Sequence, residues 1–107
     1  MKKTPKGKPD PRVASISPGE ILATEFLELL GITAYRLAAE TGMPRSRVSG
    51  ILNGKRSITA ETALAFGLYF GNSPEFWLNL QGHYDLEKAT RESYRTIKSR
   101  VKPLQAA

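Results

Sequence analysis

Apolar residues recur along this chain at intervals of three and four, and nowhere do they alternate with polar ones. That period is helical. Leu22, Phe26, Leu29 and Leu30 form the first apolar stripe. Ser17-Pro18-Gly19-Glu20 announces it: the Ser17 hydroxyl can accept from a free N–H, and Glu20 can reach back to the Ser17 N–H. Pro18 takes the first helical position, where a missing N–H costs nothing. Gly31 ends this helix. Thr33 caps a second, which runs to about Thr41. A third covers roughly 45–52 and is stopped by Asn53-Gly54. Thr59 caps a fourth, with Glu61 in its first turn and Gly71 after its end. Ser73-Pro74-Glu75 starts a fifth. Five helices joined by short turns predict an all-α bundle.

After Gly82 the pattern loosens. Tyr84, Leu86, Tyr94, Ile97 and Val101 are spread among charges. Residues 85–101 read as a weakly amphipathic helix, ended by Lys102-Pro103, that needs a partner surface. The expected organisation is a disordered basic tail over 1–15, a folded domain over 16–83 and a helical extension over 84–107 that serves dimerisation.

Residues 34–53, AYRLAAETGMPRSRVSGILN, are the most informative stretch. Ala38 is small where two helices must cross closely. Gly42 follows four residues later, where the turn needs a positive φ. Leu37, Met43, Val48 and Ile51 are spaced to face one core across that turn. Pro44, Arg45, Ser46 and Arg47 open the second helix of the pair, pointing polar and basic groups away from the core. This is a helix-turn-helix, whose second helix enters the DNA major groove. Arg45, Ser46, Arg47 and Ser49 are its expected DNA contacts, since Arg pairs with guanine O6 and N7 and Ser serves base or phosphate. Thr33, Tyr35 and Arg36 near the start of one helix, and Lys55, Arg56 and Thr59 around the start of another, suit phosphates. Gly50 is an odd residue inside a helix.

At 107 residues the chain is expected to form one domain with one modest core. It has no cysteine, which excludes disulfides, thiolate zinc sites and a thiol nucleophile. No apolar run is long enough to span a bilayer and no signal-peptide pattern is present, so a cytoplasmic protein away from membranes is expected. The net charge of +6 favours a polyanionic partner. Much of that excess sits in residues 1–12, where Lys2, Lys3, Lys6, Lys8 and Arg12 face only Asp10. Such a tail suits an arm that follows phosphates.

Two further groupings bear on function. Phe66, Tyr69, Phe70, Phe76, Trp77 and Tyr84 could stack on unpaired bases, but their spacing fits core packing better. Residues 17–43 carry Glu20, Glu25, Glu28 and Glu40 against the single Arg36. Glu25 and Glu28 lie three apart, on one helical face, so this acidic segment is a candidate docking surface for a basic protein. His83 is the only histidine, no carboxylate is paired with a base or nucleophile, and no phosphate-cradling loop occurs. Neither catalysis, a cofactor nor a metal is expected.

From Ser17 to Leu86 the sequence resembles the HigA-type (VapI-like) antitoxins of bacterial toxin–antitoxin modules, within the lambda-repressor-like helix-turn-helix superfamily. SPGEIL at 17–22, YRLA at 35–38, RSRVSGILNGKRSIT at 45–59 and FGNSPEFWLNLQGHYDLEKA at 70–89 carry the resemblance. The last is the most specific, because generic repressors of this fold lack it. The resemblance implies a homodimer that neutralises a HigB-like, RelE-type mRNA-cleaving toxin and represses its own operon on double-stranded operator DNA. It implies that Arg45, Ser46, Arg47 and Ser49 read bases and that Lys55, Arg56 and Thr59 lie near phosphates. Docking the DNA face onto a basic toxin would set like charges together, which leaves the Glu20, Glu25, Glu28 and Glu40 surface for the toxin. By that resemblance, Ala34 stands where relatives usually carry Gln, and Gly50 where a larger polar residue is usual. A stand-alone repressor of the same superfamily, or a binding protein that only sequesters a partner, are the alternatives.

Overall fold

A computed structural model describes residues 16–105. The basic tail expected over 1–15, with its charged positions, lies outside the described residues. Among those described, every regular element is a helix. Three continuous stretches, Pro18–Ile21, Leu22–Leu27 and Glu28–Leu30, make one helix, α1. It is followed by α2 (Ala34–Thr41), α3 (Arg45–Leu52), α4 (Ala60–Phe70) and α5 (Pro74–Arg100). The capping chemistry is as the sequence predicts. Ser17 and Glu20 form a reciprocal capping box, and Thr33, Thr59 and Ser73 each accept from the N–H three residues on.

The middle of α1 departs from the expected period. Leu22–Leu27 is π-helical, and the Glu28 N–H donates to the Ala23 carbonyl, five residues back. The wider turn shifts the inward face. Leu22 and Leu27, five apart, are the buried leucines, and Phe26 packs beside them. Leu29 and Leu30, expected inside on an α-helical period, stand 73% and 57% exposed.

The core sits where α1, α4 and the start of α5 meet. Trp77 and Phe66 are wholly buried. The Phe26 ring lies 4.7 Å from Trp77 and 4.9 Å from Phe70, centroid to centroid. The Trp77 indole N–H donates to Asn72 Oδ1 at 3.0 Å, so its one polar atom is satisfied. Phe66, Tyr69, Phe70, Phe76 and Trp77 pack with one another, as their spacing predicts; Tyr84, half-buried, joins no ring contact among the described residues.

α5 does not stop where the pattern loosens. Its 27 residues run unbroken through Gly82, about 40 Å of helix. Gln81 is its last buried residue, and beyond Ser93 every described residue is exposed. The expected fifth helix and the C-terminal extension are therefore one rod, docked at one end and projecting at the other. Val101 closes it just before Lys102-Pro103.

Candidate nucleic-acid interface

Local sequence builds the α2–α3 corner. Gly42 adopts φ +74°, and its N–H donates to the Ala38 carbonyl. A side chain there would strain the turn. Ala38 and Leu37 of α2 and Val48 and Ile51 of α3 are buried together, with Met43 half-buried against them. α1 fixes α3 from the far side: a Cβ on Gly19 would lie 2.0 Å from the Ile51 carbonyl oxygen, so only glycine permits this approach. Pro44 precedes α3 in extended conformation, and no side chain caps the helix. Its first N–H groups are left for an outside acceptor.

With Val48 and Ile51 inward, Ser46, Ser49 and Gly50 face outward. The sequence places Arg45 and Arg47 together on that outer face; the structure separates them. Two residues apart on a helix is about 200°, so they leave α3 by opposite flanks. The Arg45 guanidinium carbon stands 5.0 Å from the centroid of the Tyr35 ring, a cation–π contact that ties α3 to α2. Ala34, Tyr35, Arg45, Ser46 and Ser49 line an open hollow of about 570 Å³ there. The small Ala34 helps keep it open. On the other flank Arg47, half-buried, shares a hollow of about 470 Å³ with Arg56, Ser57, Thr59 and Glu61.

Of the remaining expected contacts, Thr33, Thr59 and Arg36 have partners of their own. Thr33 Oγ1 accepts the Arg36 N–H at 3.0 Å and Thr59 Oγ1 accepts the Thr62 N–H at 3.3 Å, so both hydroxyls cap helices. Arg36 pairs with Glu40 at 3.1 Å, and the Tyr69 hydroxyl donates to the same Glu40 oxygen. The Tyr69 hydrogen bond, with Arg36, holds the Glu40 carboxyl below its usual range. The Glu40 hydrogen bond in turn raises the Tyr69 hydroxyl and the Arg36 guanidinium. Lys55 and Arg56 lie exposed in the loop after α3, whose N–H groups both donate to the Gly50 carbonyl, at 2.8 and 3.0 Å.

Of the acidic residues, Glu20 accepts the Ser17 N–H at 3.1 Å and Glu40 is held by Arg36 and Tyr69. Glu25 and Glu28 are exposed, and their carboxylates make no hydrogen bond among the described residues. The π turn that contains Glu25 spreads this pair instead of stacking it in one row, as an α-helical spacing of three would.

Sequence reasoning missed Gln81. It is buried, its Oε1 accepts the Ile58 N–H at 2.7 Å, and its Nε2 donates to Asp85 at 2.9 Å. It pins the loop that carries Arg56 and Ser57 to α5. A lone glutamine on a helix gives no sign of this.

The helix-turn-helix family matches residues 25–77, from the middle of α1 to Trp77, and takes in both hollows. Antitoxin HigA-1 of Vibrio cholerae is 45% identical over 83% of this chain and 83% of its own length. This chain belongs to the HigA-type antitoxins. Two solved structures agree. A HigA-family addiction module antidote protein from Coxiella burnetii superposes with a TM-score of 0.78 at 49% identity, covering 84% of this chain and 98% of that one. The Pseudomonas aeruginosa antitoxin HigA, solved with the higBA promoter, superposes with a TM-score of 0.81 at 36% identity, covering 85% of this chain and 99% of its own. A HigA-type antitoxin is a DNA-binding regulator, not an enzyme.

Proposed function

We propose that this antitoxin neutralises a HigB-like, RelE-type mRNA-cleaving toxin and represses its own operon as a homodimer on a palindromic operator. The observation that carries the DNA half is the dress of α3. Its N-terminus is uncapped, its outer face holds Ser46 and Ser49, and Arg45 and Arg47 guard its flanks with Tyr35, Arg56 and Thr59 beside them. Backbone N–H groups and arginines at a helix start suit phosphates and guanine edges. The Pseudomonas relative was solved with promoter DNA. A protein that acts on operon DNA and on a toxin of messenger RNA works in the cytoplasm under this proposal. No described helix is long and apolar enough to cross a membrane.

The dimer is proposed to form through the projecting end of α5. Leu86, Tyr94, Ile97 and Val101 recur there at helical spacing and all are exposed. Charge supplies the orientation. Residues 85–92 hold Asp85, Glu87 and Glu92 with Lys88 and Arg91, a net −1, whereas 93–102 hold Arg95, Lys98, Arg100 and Lys102 and no carboxylate, a net +4. Antiparallel pairing of two copies sets the basic stretch against the one that holds the carboxylates; parallel pairing sets basic against basic. The toxin is proposed to dock on Glu25 and Glu28. Like-charge repulsion keeps a basic toxin off the α3 face, while Glu20 and Glu40 hold a cap and a tyrosine.

Gel shifts with the duplex upstream of the chain's own reading frame test the repressor half, and co-purification with the protein encoded beside it tests the antitoxin half. Binding of that duplex at a lower concentration than a scrambled one, and capture of a small basic ribonuclease, are expected. No preference for the duplex sinks the repressor reading; no such neighbour sinks the antitoxin reading.

A further inference from the structure

The outer side of α3 has a gap, and the following loop fills it. Gly50 lies two residues past buried Val48, about 200° round the helix, and so on the side that faces the groove in the operator reading. A Cβ built on Gly50 would stand 2.9 Å from both Cγ and Cδ of Arg56 and 3.4 Å from its Cβ. The arginine's stem therefore occupies the space that a side chain at position 50 would take. Backbone contacts fix it there. The N–H groups of Lys55 and Arg56 both donate to the Gly50 carbonyl, and Gly54 supplies the turn at φ +80°. Further on, Ile58 is held by Gln81. The guanidinium begins one bond beyond Cδ, on the flank where Arg47 also stands and where both arginines line one open hollow.

We propose that Arg56 is a specificity-determining residue: seated over Gly50, it enters the major groove beside Arg47 and reads a base in place of the side chain that position 50 lacks. The matching chemistry is a guanidinium against guanine O6 and N7. A glycine inside a helix weakens that helix, and here the weakness opens a seat for a second arginine. This inference rests on the operator-binding reading.

The test is selection of bound sequences from a randomised duplex library by the full chain and by Arg56→Ala, Gly50→Ala and the double variant. The wild type is expected to select half-sites with a guanine at one position where both single variants lose preference, all other positions being kept. Affinity for the wild-type-selected duplex should fall roughly 5- to 150-fold in either single variant, and the double variant should be no weaker than the weaker single one. Gly50→Ala should melt within a few degrees of wild type, because the better helix propensity of alanine is set against displacing the Arg56 stem. An intact fold with altered reading at one position separates lost readout from general damage. If Arg56→Ala weakens every duplex equally and lowers the log–log salt slope by about 0.9, Arg56 is a phosphate clamp and the proposal falls. If Gly50→Ala leaves the selected profile unchanged, the arginine does not depend on the gap and the proposal also falls. If the wild type selects no sequence at all, the operator reading fails and takes this inference with it.

Discussion

Replacing Gln81 with Met isolates one buried bond. Methionine keeps the length and apolar stem of glutamine but can neither accept from Ile58 nor donate to Asp85 as an amide does. Ile58 is 3% exposed and Gln81 8%, so the Ile58 N–H is left without a partner and away from water. A buried donor in that state costs about 1–3 kcal/mol. The lost Gln81–Asp85 bond is only part-buried and adds a smaller amount. About 2 kcal/mol in total is a large share of the roughly 5–15 kcal/mol that holds a domain folded. For a chain of this size it corresponds to a fall of about 8–16 °C in melting midpoint. Urea unfolding followed by circular dichroism should show a lower midpoint with an unchanged slope. Operator affinity should fall too, because the loop carrying Arg56 loses its anchor on α5. A loss under about 0.5 kcal/mol would refute the reasoning, since the Ile58 N–H would then be finding another partner at little cost.

Tyr69→Phe should flatten the pH dependence of stability at both ends. Glu40 is depressed chiefly by the Tyr69 hydroxyl, so its contribution is present above the unfolded carboxylate value, about 4.3, and is lost as pH falls through its lower folded value. Tyr69 is raised chiefly by Glu40, so its contribution is present below about 10 and is lost as pH rises through its higher folded value. Melting curves across pH in wild type and variant measure both limbs, and identical profiles would rule out the coupling. Charge reversal of Glu25 and Glu28 to Lys should slow association with the toxin at low salt and leave operator binding by free antitoxin nearly intact; unchanged association kinetics would place docking elsewhere. A chain ending at Ala89 keeps every buried residue among those described yet loses Tyr94, Ile97 and Val101. Light scattering should find it monomeric and a gel shift should find DNA binding weakened, whereas a persistent dimer would locate the interface off the projecting helix.

Local rules made most of the fold legible. Ser17 with Glu20, Thr33, Gly42, Thr59 and Ser73 each act within a few residues, and each sits at the helix end or turn that its chemistry predicts. What escaped were features set by distant residues or by a change of period. A stripe counted at α-helical spacing puts Leu29 and Leu30 inside, and the π turn at Leu22–Leu27 puts them outside. Gly82 and the thinning of apolar residues suggested a break in what is one continuous rod, because a glycine weakens a helix without ending it. The site shows the same division. The residues around α3 were identifiable by type and position. That Arg45 stacks on Tyr35, that Arg36 is paired with Glu40, and that Arg56 lies over Gly50 depend on neighbours the spacing does not name.

The most direct measurement of the central claim is a nuclease footprint on the DNA upstream of the chain's own reading frame, run with wild type and with the Arg45→Ala, Arg47→Ala double variant. Two protected half-sites centred about 34 Å apart, or a multiple of that, are predicted for a symmetric dimer with α3 in successive major grooves. The double variant should lose protection at matched concentration while its melting midpoint stays within a few degrees of wild type. No protected region, or a footprint that survives loss of both arginines, would contradict the claim that α3 reads DNA.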